Sequence, residues 1–159
     1  MPRGGNGNNG GNGVIRGNNK DNVLNGTNAD DIIRGRGGND DIFAGAGDDE
    51  IHGGSGNDTI NAGSGTDIVT GGSGADVFVI DANSETVIIT DFEDGVDQID
   101  VSAFGFDQNG YSPNYSGYLA VVDDDTYVTF YDNTTGDAVA EVILQDFDYT
   151  QIDLSDYIL

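Results

Sequence analysis

Apolar side chains recur near every ninth position through the first half of the chain. Val14, Val23, Ile32, Ile42, Ile51, Ile60, Val69 and Phe78 follow one another at intervals of 9, 9, 10, 9, 9, 9 and 9 residues. Two positions before each stands Asn12, Asp21, Asp30, Asp40, Asp49, Asp58, Asp67 or Asp76, and before that comes a glycine-rich turn. Nine residues divide into a six-residue turn and a three-residue strand. Side chains alternate along a strand, so only the middle apolar residue points inward. Two units make a coil of 18 residues with two strands. Stacking places Val14, Ile32, Ile51 and Val69 in one parallel sheet and Val23, Ile42, Ile60 and Phe78 in the other. The interval of 10 predicts an extra residue near Arg34 that bulges outward in a turn.

Past Phe78 the pattern changes to ordinary short strands. Those expected are Val77–Ile80, Thr86–Thr90, Gln98–Val101, Leu119–Val122, Tyr127–Tyr131 and Ala138–Leu144. Asp123-Asp124-Asp125 and Asp132 to Gly136 are turn sequences, so the last three strands read as a meander able to cover the open end of the stacked coils. The composition moves with the pattern: 21 of 26 Gly precede residue 80, and 12 of 14 Phe and Tyr follow it. This divides the 159 residues into a repeat region over 17–80 and a C-terminal capping β region over 81–159, with 1–16 read as a flexible or vestigial repeat.

Charge narrows the function. Asp and Glu number 29 against 5 Lys and Arg, for a net charge of -24, and 25 of the acids are Asp. Nucleic acid and anionic membranes are repelled by such a surface. With no Cys there are neither disulfides nor thiolate metal sites. One His leaves almost no material for zinc or for Ser–His chemistry. That residue, His52, reads as a surface side chain on the outward side of its strand. No apolar run is long enough to span a bilayer, and the first residues lack the apolar segment of a cleavable signal peptide.

The clearest units are Gly53-Gly54-Ser55-Gly56-Asn57-Asp58-Thr59-Ile60-Asn61 and Gly71-Gly72-Ser73-Gly74-Ala75-Asp76-Val77-Phe78-Val79. They match G-G-x-G-x-D-x-U-x, and the chain thereby resembles the RTX family of calcium-binding repeats. The stretch Thr90-Asp91-Phe92-Glu93-Asp94-Gly95-Val96-Asp97-Gln98-Ile99-Asp100-Val101-Ser102 is similar to the segment that follows the repeats in serralysin-type proteases and in the R-modules of alginate C5-epimerases. The resemblance implies an all-β fold, a right-handed parallel β-roll with a C-terminal β-strand cap. It includes none of the catalytic parts of either family, so the chain reads as non-catalytic.

Calcium supplies what the repeat lacks. Each coil buries only two aliphatic side chains, too little against the entropy of ordering its backbone. Calcium takes about six to eight oxygen ligands; the Asp offers a carboxylate, and a glycine turn can curl its carbonyls around an ion. Stacking pairs Asp30 with Asp49, Asp40 with Asp58, Asp49 with Asp67, and Asp58 with Asp76, with Asp21 and Asp40 as a fifth. In RTX repeats the second and fourth turn residues lend carbonyls. Carried over, the resemblance implies Gly26 and Asn28 with Asp30, Gly38 with Asp40, Gly45 and Gly47 with Asp49, Gly54 and Gly56 with Asp58, Gly63 and Gly65 with Asp67, and Gly72 and Gly74 with Asp76. Arg36 stands at the second position of its unit. The expectation is about five Ca2+ ions and a chain that folds only when they bind.

Two further expectations concern partners. The chain ends Asp156-Tyr157-Ile158-Leu159, an acid followed by three apolar residues, as in the uncleaved C-terminal signals that RTX proteins present to the type I secretion machinery. The reading is therefore an extracellular, secreted monomer whose export this module aids. The alternative is a polysaccharide-binding accessory module of a carbohydrate-active enzyme, in which the tyrosines of Gly110 to Tyr118 stack on sugar rings. Ice binding would need a regular Thr row, and the third turn positions do not form one.

Overall fold

The computed structural model describes residues 8–10, 13–105, 114–122, 125–147 and 157–158. Strands alternate between two sheets as the chain coils. β2 (Val14–Arg16), β4 (Ile32–Gly37), β6 (Glu50–Ser55), β8 (Thr66–Ser73) and β10 (Thr86–Ile89) stack in parallel in one. β3 (Val23–Asn25), β5 (Asp41–Ala46), β7 (Thr59–Ser64), β9 (Val77–Val79) and β11 (Gln98–Asp100) stack in parallel in the other. β1 (Asn8–Gly10) pairs antiparallel with β2 at the N-terminal end. The chain is thus a parallel β-solenoid, and among the described residues the one helical element is a single 3-10 turn, Ser102–Phe104.

The register gives one continuous inward column per sheet. Ile15, Ile33, Ile51, Val69 and Ile89 are successive partners in the first sheet. Leu24, Ile42, Ile60, Phe78 and Ile99 are successive partners in the second. All are at most 2 % exposed, whereas Val14, Val23 and Ile32 are only half-buried. This corrects the expected register of the first three units. The inward residues from Ile15 to Phe78 are nine apart throughout, and no residue near Arg34 is extra. The physical reason is the period of two: Val14-Ile15, Val23-Leu24 and Ile32-Ile33 each offer two apolar neighbours, and a slip of one residue exchanges the two faces. The first rung, Val14–Arg16, also falls inside the stretch expected to be flexible or vestigial.

Beyond the repeats, β12 (Tyr115–Val122), β13 (Asp125–Asp132) and β14 (Ala138–Leu144) form the expected meander. It does not lie across the end of the coils. Instead β14 pairs in parallel with β10, so the meander prolongs the first sheet edgewise. The alternation along β13 and β14 buries Val128, Phe130, Ala140, Val142 and Leu144 in the same core as the isoleucine columns. Phe104 stacks on Phe130 with centroids 4.7 Å apart, and Phe92 meets Phe147 edge-on at 5.4 Å. β15 (Tyr157–Ile158) adds to the outer edge of β11 in parallel.

Candidate metal centre

The register fixes what each turn residue does. Numbering every unit so that its inward residue is eighth, the sixth position is Asn22, Asp31, Asp40, Asp49, Asp58, Asp67 and Asp76. All seven are at most 2 % exposed. They are tied coil to coil in five pairs by the same bond: the amide of the earlier residue donates to Oδ1 of the later one. These pairs are Asn22 to Asp40 at 2.7 Å, Asp31 to Asp49 at 2.7 Å, Asp40 to Asp58 at 2.8 Å, Asp49 to Asp67 at 2.9 Å and Asp58 to Asp76 at 2.8 Å.

Three of the expected pairs, Asp40 with Asp58, Asp49 with Asp67 and Asp58 with Asp76, therefore stand on successive rungs. The pairs Asp30 with Asp49 and Asp21 with Asp40 do not form; Asp31 and Asn22 take those places. Asp21 and Asp30 sit at the fifth position, exposed, in an outer ladder that runs the other way. Their Oδ1 atoms accept the amides of Asn39 at 2.9 Å and Asp48 at 3.0 Å.

The second oxygen of these carboxylates is the informative one. Among the described residues, Oδ2 of Asp40, Asp49, Asp58, Asp67 and Asp76 is buried and has no hydrogen-bond donor. A buried polar atom without a partner is costly, and five in two columns, Asp40, Asp58 and Asp76 in one and Asp49 and Asp67 in the other, mark places where positive groups belong. In the first column a second oxygen lies beside Asp40 and beside Asp58. A Cβ added at Gly53 would sit 2.5 Å from Asp58 Oδ2 and 2.6 Å from the Gly71 carbonyl oxygen. At Gly35 it would meet Asp40 Oδ2 and the Gly53 carbonyl oxygen in the same way. A carboxylate and a main-chain carbonyl of the next coil thus converge on a space kept open by glycine. This donor set, all oxygen and one charge at a time, suits a hard divalent cation.

The glycines set the turn. Position two is left-handed in all five units with a free Oδ2, from Arg36 at φ 81° to Gly54 at φ 118°, and position four likewise, from Gly38 at φ 94° to Gly74 at φ 132°. The resemblance had also marked Gly26 and Asn28. Neither has a positive φ, and in the register they are the first and third residues of their unit. Among the described residues no three His, Cys, Asp or Glu side chains form a metal group by themselves, so main-chain carbonyls must complete any coordination here.

Electrostatics follow from burial. Burial pushes Asp49 up to about 7 and Asp40, Asp58, Asp67 and Asp76 up to about 6, from 3.8, with neighbouring carboxylates adding to the rise and the amide of the previous rung opposing it.

Asp91 and Asp97 were not singled out in the sequence, yet they close the last turn. Asp97 Oδ1 accepts the Asp76 amide at 2.9 Å, and the two oxygens of Asp91 accept the Gly71 and Gly72 amides, each at 2.8 Å. A signal was present: Asp97 stands two positions before the inward Ile99, as in every repeat. His52 lies on the outer surface as expected, its Nε2 2.9 Å from Glu50 Oε1, which also faces Arg34 at 3.4 Å. The tyrosine-rich stretch from Gly110 and the terminal residues Asp156 and Leu159 lie outside the residues described with side chains.

Comparison with family models agrees with the repeat. The model of the RTX calcium-binding nonapeptide repeat matches residues 8–42, 16–51 and 43–78. Among solved structures, the AlgE6R3 subunit of the Azotobacter vinelandii mannuronan C5-epimerase is similar at 29% identity, over 89% of this chain and 80% of that one, with a TM-score of 0.48. The AlgE6R2 subunit of that epimerase is similar at 26% identity, over 89% of this chain and 92% of that one, also with a TM-score of 0.48. A search of curated proteins finds no significant match. Residues 8–78 of the chain belong to the family of RTX calcium-binding nonapeptide repeats.

Proposed function

We propose that the chain is a non-catalytic, calcium-folded module of a secreted protein. The observation that carries the reading is the pair of columns holding five buried Asp oxygens without donors. Bound calcium would neutralise them and tie successive turns together. The ligands would be the carboxylates of Asp40, Asp49, Asp58, Asp67 and Asp76, with turn carbonyls such as those of Gly53 and Gly71. Without the ion, close-set buried carboxylates oppose the fold, and two aliphatic side chains per coil do not offset the ordering of the chain. Folding and binding are then one event.

This suits export. Where calcium is scarce the chain stays unfolded; outside, where it is abundant, it folds. Tyr157–Ile158 pairs with β11 in the fold, so a C-terminal signal for type I secretion would be free only in the unfolded chain. Far-UV circular dichroism against calcium, with magnesium as control, tests the folding claim. A cooperative gain of β signal in calcium alone is the expected result; a full signal in chelator, or an equal response to magnesium, overturns it. Secretion of a chain lacking Asp156 to Leu159 tests the export claim, and undiminished secretion would refute it.

A further inference from the structure

The turns are of two kinds, and the difference lies in one amide. In three turns the sixth-position side chain accepts the main-chain N–H of the residue four before it. Asn18 N donates to Asn22 Oδ1 at 2.7 Å, Thr27 N to Asp31 Oδ2 at 2.7 Å and Glu93 N to Asp97 Oδ2 at 3.0 Å. Thr27 adds its hydroxyl, with Oγ1 donating to Asp31 Oδ2 at 2.8 Å. In the other five turns the residue four before is Arg36, Gly45, Gly54, Gly63 or Gly72. Each has positive φ, the amide is not delivered to the carboxylate, and Oδ2 stays free. Asn18, Thr27 and Glu93 have no positive φ.

We infer that the second turn residue decides where calcium stops, and that Thr27 keeps the ion out of the turn ending at Asp31. The site residues given by the repeat pattern would otherwise include that turn, because Asp31 is as buried as its successors and stands on the same ladder. Its free oxygen, however, is already taken by two donors from Thr27, which do for it what the ion does elsewhere. Calcium is thereby confined to the five turns ending at Asp40, Asp49, Asp58, Asp67 and Asp76. Protein donors close the stack at both ends, Asn18 and Thr27 on one side and Glu93 on the other. The inference rests on calcium being the ligand of the open turns.

Counting bound ions tests it, by equilibrium dialysis of the full chain with elemental analysis in saturating calcium. The wild type is expected to hold five ions, one per free oxygen. Asp31→Asn, which can still accept from Thr27, should leave the count unchanged, whereas Asp49→Asn should lower it by one. Thr27→Gly with Ala29→Gly gives that turn the glycines of its neighbours and should raise the count by one. Six or more ions in the wild type, or a loss in Asp31→Asn, overturns the inference while leaving calcium folding intact. No bound calcium at all overturns the proposed function instead.

Discussion

Asp76 donates its amide to Oδ1 of Asp97 over 2.9 Å although 21 residues separate them, where the preceding rung, Asp58 to Asp76, spans 18. The longer connection carries Thr90 to Asp94, and in it Asp91 grips the amides of Gly71 and Gly72. The region after the repeats therefore continues the side-chain ladder of the earlier rungs at Asp97 and adds the Asp91 carboxylate as acceptor for two further turn amides. Asp97→Ala leaves a buried amide without an acceptor, at about 1–3 kcal/mol. Asp91→Ala frees two half-buried amides at comparable cost. Each is expected to lower the melting temperature in saturating calcium by roughly 5 °C, and to do so with the other four open turns intact. A calorimetric melt equal to wild type would show that the last turn needs no such closure.

Arg36 tells the opposite story. It occupies a glycine position with φ 81°, and a non-glycine residue pays about 1–2 kcal/mol for that conformation. Arg36→Gly should therefore stabilise the calcium-loaded roll by about 1 kcal/mol, after allowance for the greater unfolded-state freedom of glycine. Urea denaturation in saturating calcium measures it. Gly54→Ala makes the reverse change: φ is 118°, and its Cβ would lie 2.7 Å from the Arg36 carbonyl carbon. A loss of about 2–3 kcal/mol is expected there.

The repeat, its turn chemistry and the later strands were all legible in the residues, because a nine-residue spacing of single apolar positions leaves little choice. Asp40 through Asp76 were found because Glu50-Ile51-His52 and Thr59-Ile60-Asn61 each offer a single apolar residue and anchor the nine-residue spacing for the units beside them. Register was lost where a unit offers two, as in Ile32-Ile33. There the pattern alone cannot say which face is inward, and the choice moved the buried acid from Asp31 to Asp30. Asp97 escaped because the connection to it is three residues longer than a coil (21 against 18), although it keeps its place two before an inward residue, and Asp91 has no counterpart in the repeat.

The register itself can be measured. Ile33→Ala removes a fully buried side chain from the inward column and should cost about 2–5 kcal/mol. Ile32→Ala alters a half-buried outward position and should cost less than about 1 kcal/mol. Equal losses in calcium-saturated denaturation would restore the other register, and with it Asp30 as the inward acid.

Acid should act in opposite directions with and without calcium. Burial raises the folded-state values of Asp40, Asp58, Asp67 and Asp76 to about 6 and of Asp49 to about 7, against 3.8 when unfolded. A carboxyl whose folded value is raised binds its proton more tightly in the folded state, so stability falls as pH rises through about 6–7 and is fully regained only below about 4. In calcium-stripped buffer, therefore, β signal should increase as pH is lowered from 7.5 to 5. Calcium needs the same carboxylates ionised, so protons compete with it over the same window. At pH 5 the calcium midpoint should lie at least about tenfold above that at pH 7.5, with less cooperativity as individual turns are held by protons instead of ions. Circular dichroism at both pH values, with and without calcium, reads both effects. A calcium midpoint that does not move across this range would mean that the buried Asp columns are not where the ions bind.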